Sequence, residues 1–194
     1  MSTPFYAMLS RLRYITRWGL MRNTRPENVM EHTAVVAMFA HALAVLHNER
    51  GGNVSPDRVG MMALFHETGE VITGDMPTPV KYFNAQIRGE YAKLEDRAVE
   101  KIAATLPDPD RKGLSPFLQP DRVSQEYRFM KAADKLSAYL KCLEERQAGN
   151  REFDEAGRAA EEKLRAMGLK EVDWFLSHFA GSFALTLDEL NRKN

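Results

Sequence analysis

Cysteine is nearly missing from this chain: its 194 residues contain one, Cys142, so no internal disulfide can form and no cysteine-rich metal site exists. That usage suits a reducing compartment, and a cytoplasmic protein is expected. Net charge is missing too, because 27 Lys+Arg balance 27 Asp+Glu. A partner chosen by bulk charge, such as a nucleic-acid polymer or an anionic membrane surface, is therefore not expected. No run reads as the ~20 apolar residues of a membrane span. The opening residues, Met1-Ser2-Thr3-Pro4-Phe5, lack the basic-then-apolar order of a signal peptide. Disorder is not expected either, since 44% of the residues are hydrophobic and 28% are charged.

What the sequence does have is helical periodicity. Phe5, Met8, Leu9, Leu12 and Ile15 form one stripe within Phe5 to Trp18. After the turn-prone stretch Arg22 to Asn28, a second stripe runs through Val29, His32, Val36, Phe39, Leu43 and Leu46. Gly51-Gly52-Asn53 interrupts it, and Ser55-Pro56 then offers an N-cap and a first-turn proline. The next helix, with Val59, Met61, Met62, Leu64 and Phe65, is apolar on several sides and is expected to be central. Two loops are expected, at Thr73 to Pro79 and at Pro107 to Pro120, because prolines and glycine punctuate both. Ile87, Tyr91, Leu94, Ala98 and Ile102 mark one helix, and Phe129, Ala133, Leu136, Leu140 and Leu143 another. The latter ends at Gly149-Asn150, and two more helical segments split near Gly168. No strand alternation is evident. The expectation is one all-α domain over residues 1–194, a helical bundle of about six or seven helices.

Chemistry shows where polar residues fall on faces that should be apolar. His32 sits inside its stripe, between Val29 and Val36. His66 continues the stripe of Val59, Met62 and Ala63, with Glu67 beside it and Glu70 at i+4, so His66 and Glu70 are expected to point the same way. Asp134 lies among Met130, Ala133, Ser137 and Ala138. Each group would carry a desolvation cost alone, and one divalent cation would remove it for all of them. A mix of imidazole and carboxylate suits zinc, manganese, iron, cobalt or copper better than magnesium. Taken singly, each residue has a plainer reading. His32 could be a satisfied core histidine, and His66 with Glu70 a surface pair. Asp134 could bond a loop amide, Arg17-Trp18 form a cation–π pair, and Asp75 cap a turn.

Together, His32, the doublet His66-Glu67 and the distant Asp134 resemble the ligand set of HD-domain metal phosphohydrolases. The likeness extends through Leu9 to Trp18, Glu31-His32-Thr33, Thr73 to Asn84 and Lys131 to Glu145. These segments are similar to the bacterial 5'-deoxynucleotidases of the HD superfamily, and the likeness runs from about Phe5 to the last helix. The resemblance implies a small all-α homodimer that hydrolyses deoxyribonucleoside 5'-monophosphates with one divalent transition metal. It implies His32, His66, Glu67 and Asp134 as metal ligands, with His32, His66 and Asp134 also at the substrate. Arg17 would hold the phosphate and serve catalysis, Trp18 would exclude a 2'-hydroxyl, and Glu70 would be the acid/base group. Asp75, Met76, Pro77 and Thr78 would line the nucleoside. One departure is visible: the family doublet is His-Asp, whereas this chain has His66-Glu67. The extra methylene displaces the carboxylate by ~1.5 Å, so the helix or the metal is expected to adjust. Two rivals stand beside this reading. One is a related dNTP triphosphohydrolase, which would need more basic residues than Arg17 at the phosphate end. The other is a non-catalytic nucleotide-binding protein with a weakened metal site.

Overall fold

A computed structural model describes residues 2–192. Its helices are α1 (Phe5–Leu9), α2 (Val29–Asn48), α3 (Pro56–Phe65), α4 (Glu70–Thr73), α5 (Thr78–Lys81), α6 (Ala85–Ala103), α7 (Asp108–Leu118), α8 (Gln125–Gln147), α9 (Asp154–Ala166), α10 (Lys170–His178) and α11 (Leu187–Arg192). Short 3-10 turns occupy Ser10–Tyr14, Arg151–Phe153 and Ala180–Ala184. Among the described residues there is no strand, and one antiparallel bridge pairs Thr16 with Asn28. The expected all-α fold is present, with α2, α3 and α6 to α10 as its seven longer helices.

The core forms where α2, α3 and α8 meet. Val36, Leu43, Met62, Phe129 and Leu136 are all essentially inaccessible there. A second cluster, Phe5, Ile102, Leu106 and Leu118, joins α1 to α6 and α7. The helix starts are capped as their sequences suggest. Asn28, Ser55, Asn84 and Ser124 each accept a backbone N–H three residues on.

Four expectations need correction. The first stripe is not one helix: α1 stops at Leu9, a 3-10 turn follows, and Trp18 has left the helix altogether, with φ +60°. The segment Pro107 to Pro120 holds α7. Pro109 falls in the first turn, where its missing N–H has no intrahelical partner, and Asp108 and Asp110 complement the helix start. The loop after α4 is shorter than Thr73 to Pro79, since Pro79 lies in the first turn of α5. Finally, α2, at 20 residues with an 18-residue stretch of mean hydropathy 1.6, is long and apolar enough to pass for a membrane span. It is a core helix, packed between α3 and α8, and it buries His32 beside Val29 and Val36.

Candidate active site

The helix that should have carried His66 and Glu70 on one face ends early. α3 stops at Phe65, His66 is its C-cap, and the chain turns through residues 66–69 before α4 begins at Glu70. Gly69 lets α6 approach that turn closely: a Cβ there would stand 3.1 Å from the Glu95 carbonyl of α6. Gly74, at φ +69°, then reverses the chain into the Asp75 loop. His66 and Glu70 line one cavity all the same, brought there by the turn and not by helical spacing.

Four side chains from three elements converge. His32 comes from α2, His66 and Glu67 from the end of α3, and Asp134 from α8, and one ligand atom of each lies within 4.8 Å of all the others. His32 Nε2 is 3.4 Å from Asp134 Oδ1, and His66 Nε2 is 3.1 Å from Glu67 Oε1. Neither Nε2 makes a hydrogen bond, and both are buried. His66 donates from Nδ1 to the Ala63 carbonyl at 2.6 Å, which leaves the lone pair on Nε2 facing the cluster. His32 Nδ1 has two neighbours, Arg17 Nη1 at 2.9 Å and Ser137 Oγ at 3.3 Å. It accepts from the first or donates to the second.

This donor set fits a divalent cation. Atoms bound at ~2.1 Å stand at most ~4.2 Å apart, so small side-chain shifts close the set. Glu67 belongs to it without forcing a helix to move, because position 67 is already outside α3.

Electrostatics separates the acids. Burial alone would raise the Glu67 carboxyl, yet the adjoining His66 holds it well below the usual range. Burial also opposes the Asp134 charge, but Lys131 and Lys135 outweigh it. Both lysines bond Asp134 Oδ2, at 3.1 and 3.0 Å, leaving Oδ1 for the cluster. Burial and Arg17 push His32 down, so its ring stays neutral. Glu70 behaves oppositely. Burial, with Glu67 and Asp75 nearby, raises it to about 10, so it keeps its proton at neutral pH.

Arg17 stands on the far side of His32. Its Nη1 donates to Glu27 Oε2 at 2.7 Å, and its backbone N–H to the Glu27 carbonyl at 2.9 Å. Trp18 donates from Nε1 to the same Oε2 at 3.0 Å. The Trp18 ring also meets Phe153 at 5.3 Å and the Arg17 guanidinium at 5.7 Å. Its positive φ is unique among the described non-glycine residues. Such strain costs ~1–3 kcal/mol and persists only where surrounding contacts enforce it.

One cavity of about 460 Å³ gathers Arg17, His66, Glu67, Glu70, Asp75, Met76, Thr78 and Asp134. Trp18, His32 and Pro77 do not form its wall. His32 lies fully buried, with Nδ1 against Arg17 and Nε2 turned to Asp134, and Pro77 caps α5. The sequence reading missed Glu27, Lys131 and Lys135. It also expected no basic cluster, whereas Lys81, Arg122, Lys131 and Lys135 share the cavity wall with Arg17. All four are already engaged: Lys81 by Glu95, Arg122 by Asp96, and both α8 lysines by Asp134.

With this geometry in place, comparison with known proteins is decisive. The profile of 5'-deoxynucleotidase YfbR-like proteins matches residues 4–183. The chain belongs to the YfbR-like 5'-deoxynucleotidase family. A curated 5'-deoxynucleotidase of Erwinia tasmaniensis is 48% identical over 192 residues, covering 98% of this chain and 97% of that one. Among solved structures, an HD-domain phosphohydrolase of Listeria innocua superposes with a TM-score of 0.81 at 21% identity, covering 97% of this chain and 95% of that one. The cyanophage S-2L HD phosphohydrolase DatZ, solved with dA and one catalytic Zn2+ ion, gives a TM-score of 0.66 at 18% identity, covering 91% and 96% of the two chains. These two likenesses establish that the YfbR-like chain has the fold of HD-domain phosphohydrolases.

Proposed function

We propose that the protein hydrolyses deoxyribonucleoside 5'-monophosphates to deoxynucleoside and phosphate. The observation that carries this reading is the pair of buried imidazole Nε2 atoms without hydrogen bonds, set against two carboxylates beside Arg17. His32, His66, Glu67 and Asp134 would hold one divalent transition metal: zinc, manganese, cobalt, iron or copper. When bound, such an ion supplies Lewis-acid polarisation of phosphoryl oxygens and a more acidic water.

The remaining work falls to the chain's own side chains. Arg17 turns Nη1 inward to Glu27 and His32, so its Nε–H and Nη2–H groups remain to grip phosphate oxygens. Trp18, beside Arg17 at the edge of the cavity and not in its wall, would pack against C2' of the sugar, where a ribose hydroxyl would find no partner. Asp75, Met76 and Thr78 line the nucleoside, with Pro77 behind them at the start of α5. Glu70, protonated at neutral pH, delivers its carboxyl proton to the departing 5'-oxygen.

Phosphate release from a panel of dNMP, NMP and dNTP, after metal stripping and readdition, tests the reading. Release from dNMP that disappears with the metal and returns with it supports the proposal. Preferred release from dNTP would select the triphosphohydrolase, although its tail would have to displace carboxylates from Lys81, Arg122, Lys131 or Lys135. Nucleotide binding without turnover would leave a non-catalytic binder.

A further inference from the structure

Glu27 stands in an awkward place for a residue that does nothing. A carboxylate beside the arginine that receives a phosphate dianion subtracts from the attraction between them. Yet its side chain is only 15% exposed, and its Oε2 takes N–H groups from two successive residues, Arg17 at 2.7 Å and Trp18 at 3.0 Å. Its backbone carbonyl adds a third bond, from the Arg17 N–H. The antiparallel bridge between Thr16 and Asn28, and the Val29 N–H on the Ile15 carbonyl at 2.9 Å, hold residues 15–17 against 27–29. One oxygen therefore fixes two side chains with different tasks.

We infer that Glu27 is a positioning residue for sugar selectivity, which locks the Trp18 indole and the Arg17 guanidinium into one body without touching substrate. The inference rests on the deoxynucleotidase reading and deepens it. The Trp18 indole meets three side chains, through the Glu27 bond, the Phe153 ring and the Arg17 stack, while Asn23 and Asp75 hold its left-handed backbone. The Glu27 bond is the only one of the three that fixes the rotation of the indole about its own axis. Without it the ring can turn away from C2' and admit a hydroxyl. Phosphate, common to deoxy and ribo substrates, would still meet Arg17.

The test compares Glu27→Ala and Glu27→Gln as metal-loaded enzymes, reading kcat/KM for dAMP and AMP. A second readout is Trp18 fluorescence in a Trp174→Phe background, which needs no turnover. Glu27→Ala should lower the dAMP/AMP preference at least ~10-fold, the scale of one buried hydrogen bond. Its Trp18 emission should shift red and become easier to quench with acrylamide. Glu27→Gln keeps an acceptor oxygen and removes the charge. It should retain the preference and the emission, while KM falls for both nucleotides. Unchanged preference and unchanged emission in a folded Glu27→Ala would overturn the inference. If Glu27→Ala does not fold, Glu27→Gln decides, and loss of the preference there overturns it. Wild-type enzyme that does not prefer dAMP would overturn the deoxynucleotidase reading instead, and the emission of Glu27→Ala would still decide whether Glu27 places Trp18.

Discussion

Two buried polar clusters lie along α8 and are built on opposite principles. Near the C-terminal end, Glu145 is 1% exposed and both its oxygens are filled. Oε2 accepts from the Thr24 N–H at 2.9 Å, the Thr24 hydroxyl at 2.7 Å and the Asn150 amide at 2.8 Å. Oε1 accepts from Lys141 and from the Arg25 N–H, and Lys141 donates its own further bond to the Arg25 carbonyl at 2.6 Å. Near the middle of the helix, Asp134 faces two histidines whose Nε2 atoms have no hydrogen bond. Burial is similar and the hydrogen bonding is not. A satisfied buried cluster stabilises one arrangement of the chain, here the loop at 22–25 docked on α8. An unsatisfied one is costly until something binds, so it marks a place for a ligand.

The largest expected effect breaks the unsatisfied cluster. His66→Ala should abolish metal retention, read by elemental analysis, and lower turnover ~10³-fold or more, with the helical circular dichroism intact. Full metal occupancy in this variant would remove His66 from the ligand set. Breaking the satisfied cluster should do the reverse. Glu145→Ala leaves a buried lysine without its partner, and urea unfolding at pH 7 should show a loss of ~3–5 kcal/mol. That contribution also has a pH signature. Glu145 is held at about 2 by Lys141, Thr24 and Asn150 against its burial, below an ordinary value near 4.5. The stability it confers is present above pH 4.5 and fades as pH falls toward 2.

Glu70 gives a contrast of opposite sign. Its folded-state value of about 10 lies above the ordinary 4.5, so the metal-free protein should lose stability as pH rises between them. Glu70→Gln should flatten that slope in melts of metal-free protein, keep the metal, and cost ~10²-fold in kcat. A slope unchanged in the variant would place the titration elsewhere. Trp18→Ala comes next, with at least a tenfold loss of preference for dAMP over AMP, since ~1–3 kcal/mol attaches to an unpaired hydroxyl. Arg17→Ala should weaken both nucleotides alike. The smallest effect is expected of Glu67→Asp. The turn at 66–69 already accommodates the longer side chain, so the shorter one should bind metal more weakly and not more tightly, which competitive metal titration would measure.

Much of this was legible in the sequence, and the failures have physical causes. The 3.6-residue period located the long helices because their buried faces are uniform, as in Val29, Val36 and Leu43. It could not detect the end of α3, because His66 continues the apolar stripe while the backbone turns away. Proline hid α7: Pro109 in the first turn costs a helix nothing, and Pro116 falls in the last turn, next to the helix end. The four-residue cluster was readable by resemblance, its members coming from three separate elements. Glu27 was not readable, because its importance comes from two hydrogen bonds to residues nine and ten positions earlier, which no period encodes. Lys131 and Lys135 carry no role in the sequence reading, although both lie within one helical turn of Asp134 and bond its outer oxygen.

Those two lysines have a consequence for how the protein behaves in the hand. Glu67 and Asp134 bring two negative charges to the cluster, and Lys131 and Lys135 return two positive ones to the outer oxygen of Asp134. A divalent ion seated there finds a pocket that is close to neutral overall. It would keep nearly its whole charge for the phosphate it faces, and it would be held by the number and direction of its ligands more than by charge. The same neutrality should let a chelator take the ion away. A preparation exposed to chelator should be fully folded and idle, and should recover within the time the ion takes to return.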